Sequence, residues 1–196
     1  VSRMPFSKIF AWTIILLIST NSWPLLTGNV FGLITPVDVP LYYASARDWL
    51  SAQPEDFRVF ILPSPHWWTY TQYKWSPYVM VDITSQIFSK PSVHHLPTEE
   101  INRVDIAKIV DSSICEKRSR YTGKILGLMN VKYALLRSDV DISYGRASTI
   151  DYSYLETALQ QQEGMYLEKK FGDLSFYENQ YAAPRIFTAS NLLSVL

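Results

Sequence analysis

The chain has 196 residues, of which 47% are hydrophobic, and its 18 Lys and Arg residues balance 18 Asp and Glu residues. This balance gives no electrostatic argument for a nucleic-acid partner. The single cysteine, Cys115, excludes an internal disulfide and therefore a densely bridged secreted scaffold. No motif indicates a cofactor. Beyond the apolar start, about 160 residues remain, enough for one domain with a substantial core.

An uncharged apolar run, Ile9–Leu26, lies near the start of the chain, with Arg3 and Lys8 before it. As a helix it would be roughly 27 Å long, close to the hydrocarbon core of about 30 Å. We therefore predict a transmembrane helix within residues 1–27. A cleaved signal peptide and a buried core helix remain the alternatives.

The charges beside this run predict its orientation. Because basic residues favour the cytoplasmic side, we expect the N-terminus in the cytoplasm and residues 28–196 outside the cell membrane. The chain opens with Val1 rather than Met. We expect it to be part of a longer protein that has further membrane spans upstream.

Residues 28–40 read as a linker, because glycine and proline recur there, and the domain is predicted over 41–196. A helix is predicted from Leu41, ending before Pro54, with Tyr42, Ala46, Trp49 and Leu50 on one face. The apolar run 57–63 predicts a buried strand. Helix, short loop and buried strand indicate an α/β opening.

Residues 64–78, SPHWWTYTQYKWSPY, form an aromatic segment that is the best candidate for ligand binding. Flat aromatic faces stack well on sugar rings, so glycan or lipid contact is one hypothesis. Seating at the membrane interface is a second, and packing within the domain is a third. The candidate residues are Trp67, Trp68, Tyr70, Tyr73 and Trp75.

The rest of the chain predicts alternating helices and strands. Residues 79–88 fit a helix or a strand equally, and 89–97 read as a loop. Further helices are predicted over 99–118 (capped by Thr98), 121–129 and 151–163, and strands over 131–136, 165–171, 174–179 and 185–189. Gly172-Asp173 fits a hairpin turn between two of these strands. The predicted fold is α/β, with α+β as the alternative: a mixed sheet of four or five strands with about three helices packed on it.

Other chemistry-bearing residues favour structural interpretations. His94 and His95 beside Glu99 and Glu100 make a poor metal site, because adjacent residues of an extended segment point in opposite directions. His66 has no partner carboxylate fixed by the sequence. Cys115 follows the apolar stripe of its helix and fits a small core residue.

Four stretches occur in the same order as in a known group of membrane proteins. They are SWPLLTG at 22–28, VPLYYASARDWLSAQPEDFRVFILP at 39–63, LMNVKYALL at 128–136 and LEKKFGDLSFYENQYAAPRIF at 167–187. Together they resemble the last spanning helix and the exported C-terminal domain of YfhO-like and related GT-C-type polytopic membrane glycosyltransferases of bacteria and archaea.

The resemblance implies an enzyme that transfers a sugar from a polyprenyl-phosphate donor at the outer membrane face. In such enzymes the catalytic carboxylates lie in an early exported loop, which has no counterpart in this sequence. We therefore assign no catalytic residue, and expect a structural or acceptor-binding domain. The Tyr177-Glu178-Asn179 tripeptide belongs to the resemblance, and Glu178 could pair with Arg185.

Two further hypotheses stay open at this point. The first is a non-catalytic, single-pass anchored module that binds envelope glycan or a partner protein. The second is a secreted domain with a cleaved leader.

Overall fold

The computed structural model describes residues 6–27, 37–64, 70–94, 106–116, 119–143 and 151–184. The chain divides into two compact units, Val1–Asp38 and Val39–Leu196. The described part of the first unit contains one long helix, α1, over Phe6–Thr27. Its hydroxyl side chains bond back to the helix, as Thr13 Oγ1 does to the Ile9 carbonyl at 2.9 Å.

The predicted membrane-spanning helix at Ile9–Leu26 is not confirmed. A helix forms there, but none of the helices in the described ranges combines the length and apolar character that crossing a bilayer requires. Polar residues such as Thr13, Thr20 and Asn21 interrupt the apolar run.

The second unit is built from short helices and strands. Its helices are α2 Leu41–Ser51, α3 Thr84–Ile87, α4 Ile106–Cys115, α5 Thr122–Leu128 and α6 Tyr152–Gln160. Its strands are β1 Arg58–Leu62, β2 Tyr70–Gln72, β3 Val79–Val81, β4 Ser92–Val93, β5 Val131–Arg137, β6 Met165–Phe171 and β7 Leu174–Asn179.

Five of these strands form one mixed sheet in the order β4-β1-β5-β7-β6. The first three are parallel, and β7 pairs antiparallel with both β5 and β6. β2 and β3 form a separate antiparallel pair. The prediction of a mixed sheet of four or five strands is confirmed.

Alternating strand residues bury both faces of the sheet. Phe60 and Leu62 of β1 pack in one apolar cluster with α4, α5 and α6, whereas Val59 packs in another with α2. Ile83, just before α3, and Ile87, its last residue, join the α2 side. The domain is therefore a three-layer arrangement with helices on both faces of the sheet.

The predictions for individual helices, strands and loops differ in outcome. The helix at α2, the buried strands β1 and β5, and the β6–β7 hairpin are confirmed, and Gly172 has the positive φ of 52° that its turn requires. The ambiguous stretch 79–88 contains both a strand and a helix. The predicted loop 89–97 is wrong at β4, where two residues add a parallel edge to β1.

Some predicted elements fall outside the described residues. These are the start of the helix predicted over 99–118 and the strand predicted over 185–189. For the helix, the structure describes Ile106–Cys115, in which Val110 and Ile114 are buried and Ile106 and Ile109 are about half exposed.

Gly127 in α5 allows the backbone of Tyr181, which follows β7, to pass close to the helix. A Cβ built on Gly127 would lie 2.1 Å from the Tyr181 carbonyl oxygen, a backbone atom. Helix propensity alone would favour alanine over glycine by about 1 kcal/mol. The backbone contact outweighs this preference, because Tyr181 cannot rotate away as a flexible side chain could.

We predict that Gly127→Ala lowers the free energy of unfolding by about 1–3 kcal/mol, the usual cost of overpacking. Urea unfolding of the purified chain measures the effect. Gly123→Ala, in the same helix, is the comparison variant: its Cβ would lie 3.2 Å from Asn179 Oδ1 and from the Glu163 carbonyl oxygen, a tight contact but a milder one, so it should cost less than Gly127→Ala. A Gly127→Ala protein as stable as the wild type would contradict the close approach.

Candidate functional site

The carboxyl ends of the three parallel strands form one edge of the sheet. The connection leaving β1 contributes to the apolar cluster on the α2 face, and the connection leaving β4 contributes to the cluster on the opposite face. Adjacent strands whose connections diverge in this way form a topological switch point, where α/β sheets bind ligands. The aromatic segment 64–78 begins at this edge, directly after β1.

Arg137, the last residue of β5, is fully buried at this edge. Its Nη1 atom lies 2.5 Å from Asp82 Oδ2, and its Nη2 atom donates to the Pro63 carbonyl at 2.8 Å. Nη1 also donates to the Tyr73 hydroxyl at 3.3 Å. The guanidinium therefore connects β5 to the end of β1 and to the β2–β3 pair.

Asp82 receives enough hydrogen bonds to stay ionised although it is buried. Its Oδ1 atom accepts from the Thr84 amide at 2.9 Å and from the Thr84 hydroxyl. Burial alone would raise the pKa of Asp82, but the Arg137 charge and the Thr84 hydrogen bonds outweigh it, so this pKa is lowered. Burial alone would lower the pKa of Arg137, and Asp82 reverses that effect and raises it. Both groups are therefore charged at neutral pH.

A second buried carboxylate, Asp139, holds three aromatic side chains. Its Oδ2 atom accepts hydrogen bonds from the hydroxyls of Tyr42 and Tyr43, both at 2.9 Å, and from Trp75 Nε1 at 2.8 Å. Burial, followed by the Asp139 charge, raises the pKa of both tyrosines, so they remain neutral donors. The Tyr43 and Trp75 rings meet edge to face at 6.2 Å between centroids.

The β2–β3 pair is docked onto the chain that follows β5. The Lys74 amide donates to the Asp139 carbonyl at 2.7 Å, and the Asp141 amide donates to the Gln72 carbonyl at 2.8 Å. Tyr73 and Val140 form an antiparallel bridge between these two bonds. The second half of the aromatic segment is thus fixed to the domain by backbone and side-chain contacts together.

The structure separates the five predicted ligand-binding aromatics. Tyr73 is fully buried and Trp75 is half-buried against Asp139, so both side chains pack inside the domain. Tyr70, on β2, is 46% exposed. Trp67 and Trp68 lie outside the described residues. Of the described candidates, Tyr70 is the one whose side chain has a large exposed surface.

A cavity of about 580 Å³ opens at the opposite edge of the sheet. It lies beside Phe57, which precedes β1, and Lys132, the second residue of β5. The residues near these two, Tyr166 on β6, and the end of β7 with the residues after it complete the walls. The lining residues are Glu55, Asp56, Phe57, Asn130, Lys132, Tyr166, Glu178, Asn179, Gln180, Ala182, Ala183 and Pro184.

The side chains at the mouth of this cavity hold one another in place. Lys132 Nζ lies 3.1 Å from Glu55 Oε2, and the Tyr166 hydroxyl donates to Glu178 Oε2. That hydrogen bond raises the pKa of Tyr166 to about 12. The sequence singled out Glu178 within its tripeptide, but the proposed partner Arg185 lies outside the described residues. No pattern in the sequence indicates the pocket itself.

The described residues contain no group of three or more His, Cys, Asp or Glu side chains that could hold a metal ion. Of the four residues weighed above as metal ligands and judged a poor site, His95, Glu99 and Glu100 lie outside these residues. Cys115 is half-buried and packs against the α4–α6 apolar cluster.

Comparison with known proteins gives a fold match. No protein-family model and no curated protein sequence matches the chain. The cryo-EM structure of arabinofuranosyltransferase AftD from Mycobacteria matches 90% of this chain with a TM-score of 0.60 and 15% identity. A structure of a mutant of that protein matches 93% with a TM-score of 0.58 and 16% identity. The chain spans 15–16% of the length of these AftD chains.

A third match is weaker. The crystal structure of the C-terminal globular domain of an oligosaccharyltransferase from Archaeoglobus fulgidus is 11% identical over 74% of this chain, with a TM-score of 0.40, too low to support an argument. Because the AftD structures are only 15–16% identical to this chain, the matches show a shared fold and no more. These matched structures include no YfhO-like protein, so that part of the resemblance is not confirmed.

The buried ion pair predicts a large effect of neutralising Asp82. In Asp82→Asn the Arg137 charge stays in the interior without its partner, and we expect a loss of about 3–5 kcal/mol in the free energy of unfolding. Urea unfolding at neutral pH measures it. Asp48→Asn is the control: its carboxylate pairs with Arg47 at 2.9 Å at the surface, so its loss should stay below about 1 kcal/mol. Equal losses in the two variants would contradict the assignment.

The lowered pKa of Asp82 also predicts a pH dependence. Ionised Asp82 contributes its full stabilisation above the unfolded-state value of about 3.9, and the contribution is lost as pH falls through the lower folded-state pKa. The stability difference between wild type and Asp82→Asn should be constant above about pH 5 and shrink below about pH 4. A difference that grows in acid would show that Asp82 is not the stabilising carboxylate.

Proposed function

We propose that this chain is an accessory, non-catalytic domain of a GT-C-type membrane glycosyltransferase that uses polyprenyl-phosphate sugars. Its aromatic segment contacts the glycan or the lipid-linked sugar. The domain supplies binding and positioning, while the catalytic carboxylates belong to another part of the enzyme. The observation that supports this most is the fold match to part of an arabinofuranosyltransferase over 90% of the chain.

The geometry of the carboxyl edge supports the binding role. The aromatic segment leaves β1 at the switch point, where α/β sheets place their ligands. Its described part from Tyr70 onward is fixed by Asp139 and by the Tyr73–Val140 bridge, which holds Tyr70 on a rigid strand pair. A rigid support lowers the entropy cost of binding a sugar against Tyr70.

The proposal includes a location at the cell membrane, with residues 28–196 on the outer side. Several large apolar side chains of α1 are more than half exposed within its unit. They are Phe6, Ile9, Phe10, Trp12, Ile15, Leu16, Leu17, Ile18 and Trp23. Apolar surface of this extent needs a cover, and in a membrane enzyme lipid supplies one.

The binding role is tested by replacing Trp67 and Trp68 together with the exposed Tyr70. We predict that the triple variant Trp67→Ala, Trp68→Ala, Tyr70→Ala weakens binding of an arabinofuranosyl oligosaccharide or of a polyprenyl-phosphate sugar by at least about tenfold. Each lost aromatic contact is worth about 0.5–1.5 kcal/mol beyond its buried area. Titration of the detergent-solubilised chain, followed by tryptophan fluorescence, measures the affinity.

Two controls make this test specific. Tyr121→Ala removes an aromatic side chain that is 56% exposed on a different part of the domain, and it should bind like the wild type. Circular dichroism should show that the triple variant is folded. Unchanged affinity in a folded triple variant would contradict the binding role, and unfolding would favour the packing interpretation.

A further inference from the structure

The cavity at the amino end of β5 is a separate site from the aromatic segment. Lys132 is the second residue of this strand and Arg137 the last, and five residue steps of extended chain place them roughly 17 Å apart. The cavity's volume of about 580 Å³ lies within the range of about 300–1,000 Å³ that is usual for small-molecule sites. Its chemistry can therefore be considered independently of the carboxyl edge.

The walls of the cavity are fixed before any ligand arrives. The Asn179 side chain donates to the Gly123 carbonyl at 2.9 Å and to the Val131 carbonyl at 3.1 Å. Ala182, Ala183 and Pro184 form a small-residue wall of the cavity. The Ala183 amide donates to the Gly127 carbonyl at 3.1 Å, which holds this wall against α5. A pocket with walls held in this way binds without a large ordering cost.

The polar groups at the mouth suit a ligand rich in hydroxyls. Lys132 orients Glu55, and Tyr166 orients Glu178, each through the Oε2 atom of the carboxylate. A carboxylate has about four lone-pair positions, so both retain capacity to accept from ligand hydroxyls. The Gln180 side chain is exposed beside them, and Tyr166, 41% exposed, adds an aromatic ring.

The charge of the lining selects against anions. Three carboxylates, Glu55, Asp56 and Glu178, face one amine, Lys132. This excess of negative charge disfavours a phosphate or a carboxylate ligand by simple Coulomb repulsion. A neutral ligand can form hydrogen bonds with these carboxylates and with the Gln180 side-chain amide without this electrostatic repulsion.

We propose that this cavity is a carbohydrate-binding site for a neutral mono- or disaccharide unit. Glu178 and Glu55 accept hydrogen bonds from sugar hydroxyls, and Tyr166 both positions Glu178 and offers its ring to the sugar. The site does not depend on the aromatic segment, so the domain has two sugar-contacting regions at opposite edges of the sheet.

Titration calorimetry on the full chain tests this proposal. The panel contains the methyl glycosides of arabinose, mannose and galactose, with sodium phosphate as the anionic probe and choline chloride as the cationic one. The chain is kept in a polyoxyethylene detergent, because the headgroup of a maltoside detergent would compete for a sugar site. We expect at least one glycoside to bind with millimolar affinity or better.

Variants assign the binding to the cavity. Glu178→Gln should weaken sugar binding by about tenfold, since a hydrogen bond to a charged group is lost. Tyr166→Phe keeps the ring and should weaken it less. Glu168→Gln is the control, because Glu168 is an exposed carboxylate of the neighbouring strand β6 that does not line the cavity.

Three results would overturn the proposal. One is that no glycoside of the panel binds; another is that phosphate or choline binds and the sugars do not. The third is that Glu178→Gln and Tyr166→Phe, both folded, bind the sugar like the wild type. The Trp67, Trp68 and Tyr70 variant reports on the other edge, so failure of one site leaves the other testable.

Discussion

The buried ion pair between Arg137 and Asp82 is the constraint on which the carboxyl edge of the sheet depends. Arg137 ends the central strand β5, and its guanidinium contacts β1 through the Pro63 carbonyl and the β2–β3 pair through Asp82. A buried ion pair is stabilised when each charge has further hydrogen bonds, and here Thr84 donates to Asp82 and the Tyr73 hydroxyl accepts from Arg137. The result is a fixed base from which the aromatic segment emerges.

The same strand organises both edges of the domain. At its carboxyl end, the charged side chains are buried and hold neighbouring segments in place, and Tyr73 and Trp75 pack inside the domain. At its amino end, Lys132 and Glu55 remain near solvent and line an open cavity. The two ends differ because of what covers them. The β2–β3 pair lies over the carboxyl end of β5, whereas the amino end has a small-residue wall that leaves space for the cavity.

The sequence predicted the framework well because the framework follows local patterns. The apolar pattern located α2, β1 and β5, which bury most of their apolar side chains. The Gly172-Asp173 turn located the hairpin, although most of β6 is exposed. The pattern could not pair Arg137 with Asp82, which lie 55 residues apart. A charged residue closing the apolar run VKYALLR was a signal that it needed a partner, but not of which one. Strand β4 was missed because two residues are too few to show a period.

We propose that this domain binds the sugar of a lipid-linked donor or its acceptor through the aromatic segment. Photo-crosslinking is the direct test, with a polyprenyl-phosphate sugar that has a diazirine on the sugar ring and peptide mapping of the labelled chain by mass spectrometry. We predict label within residues 64–78, reduced by unlabelled donor. Label confined to other parts of the domain, or label insensitive to unlabelled donor, would contradict it.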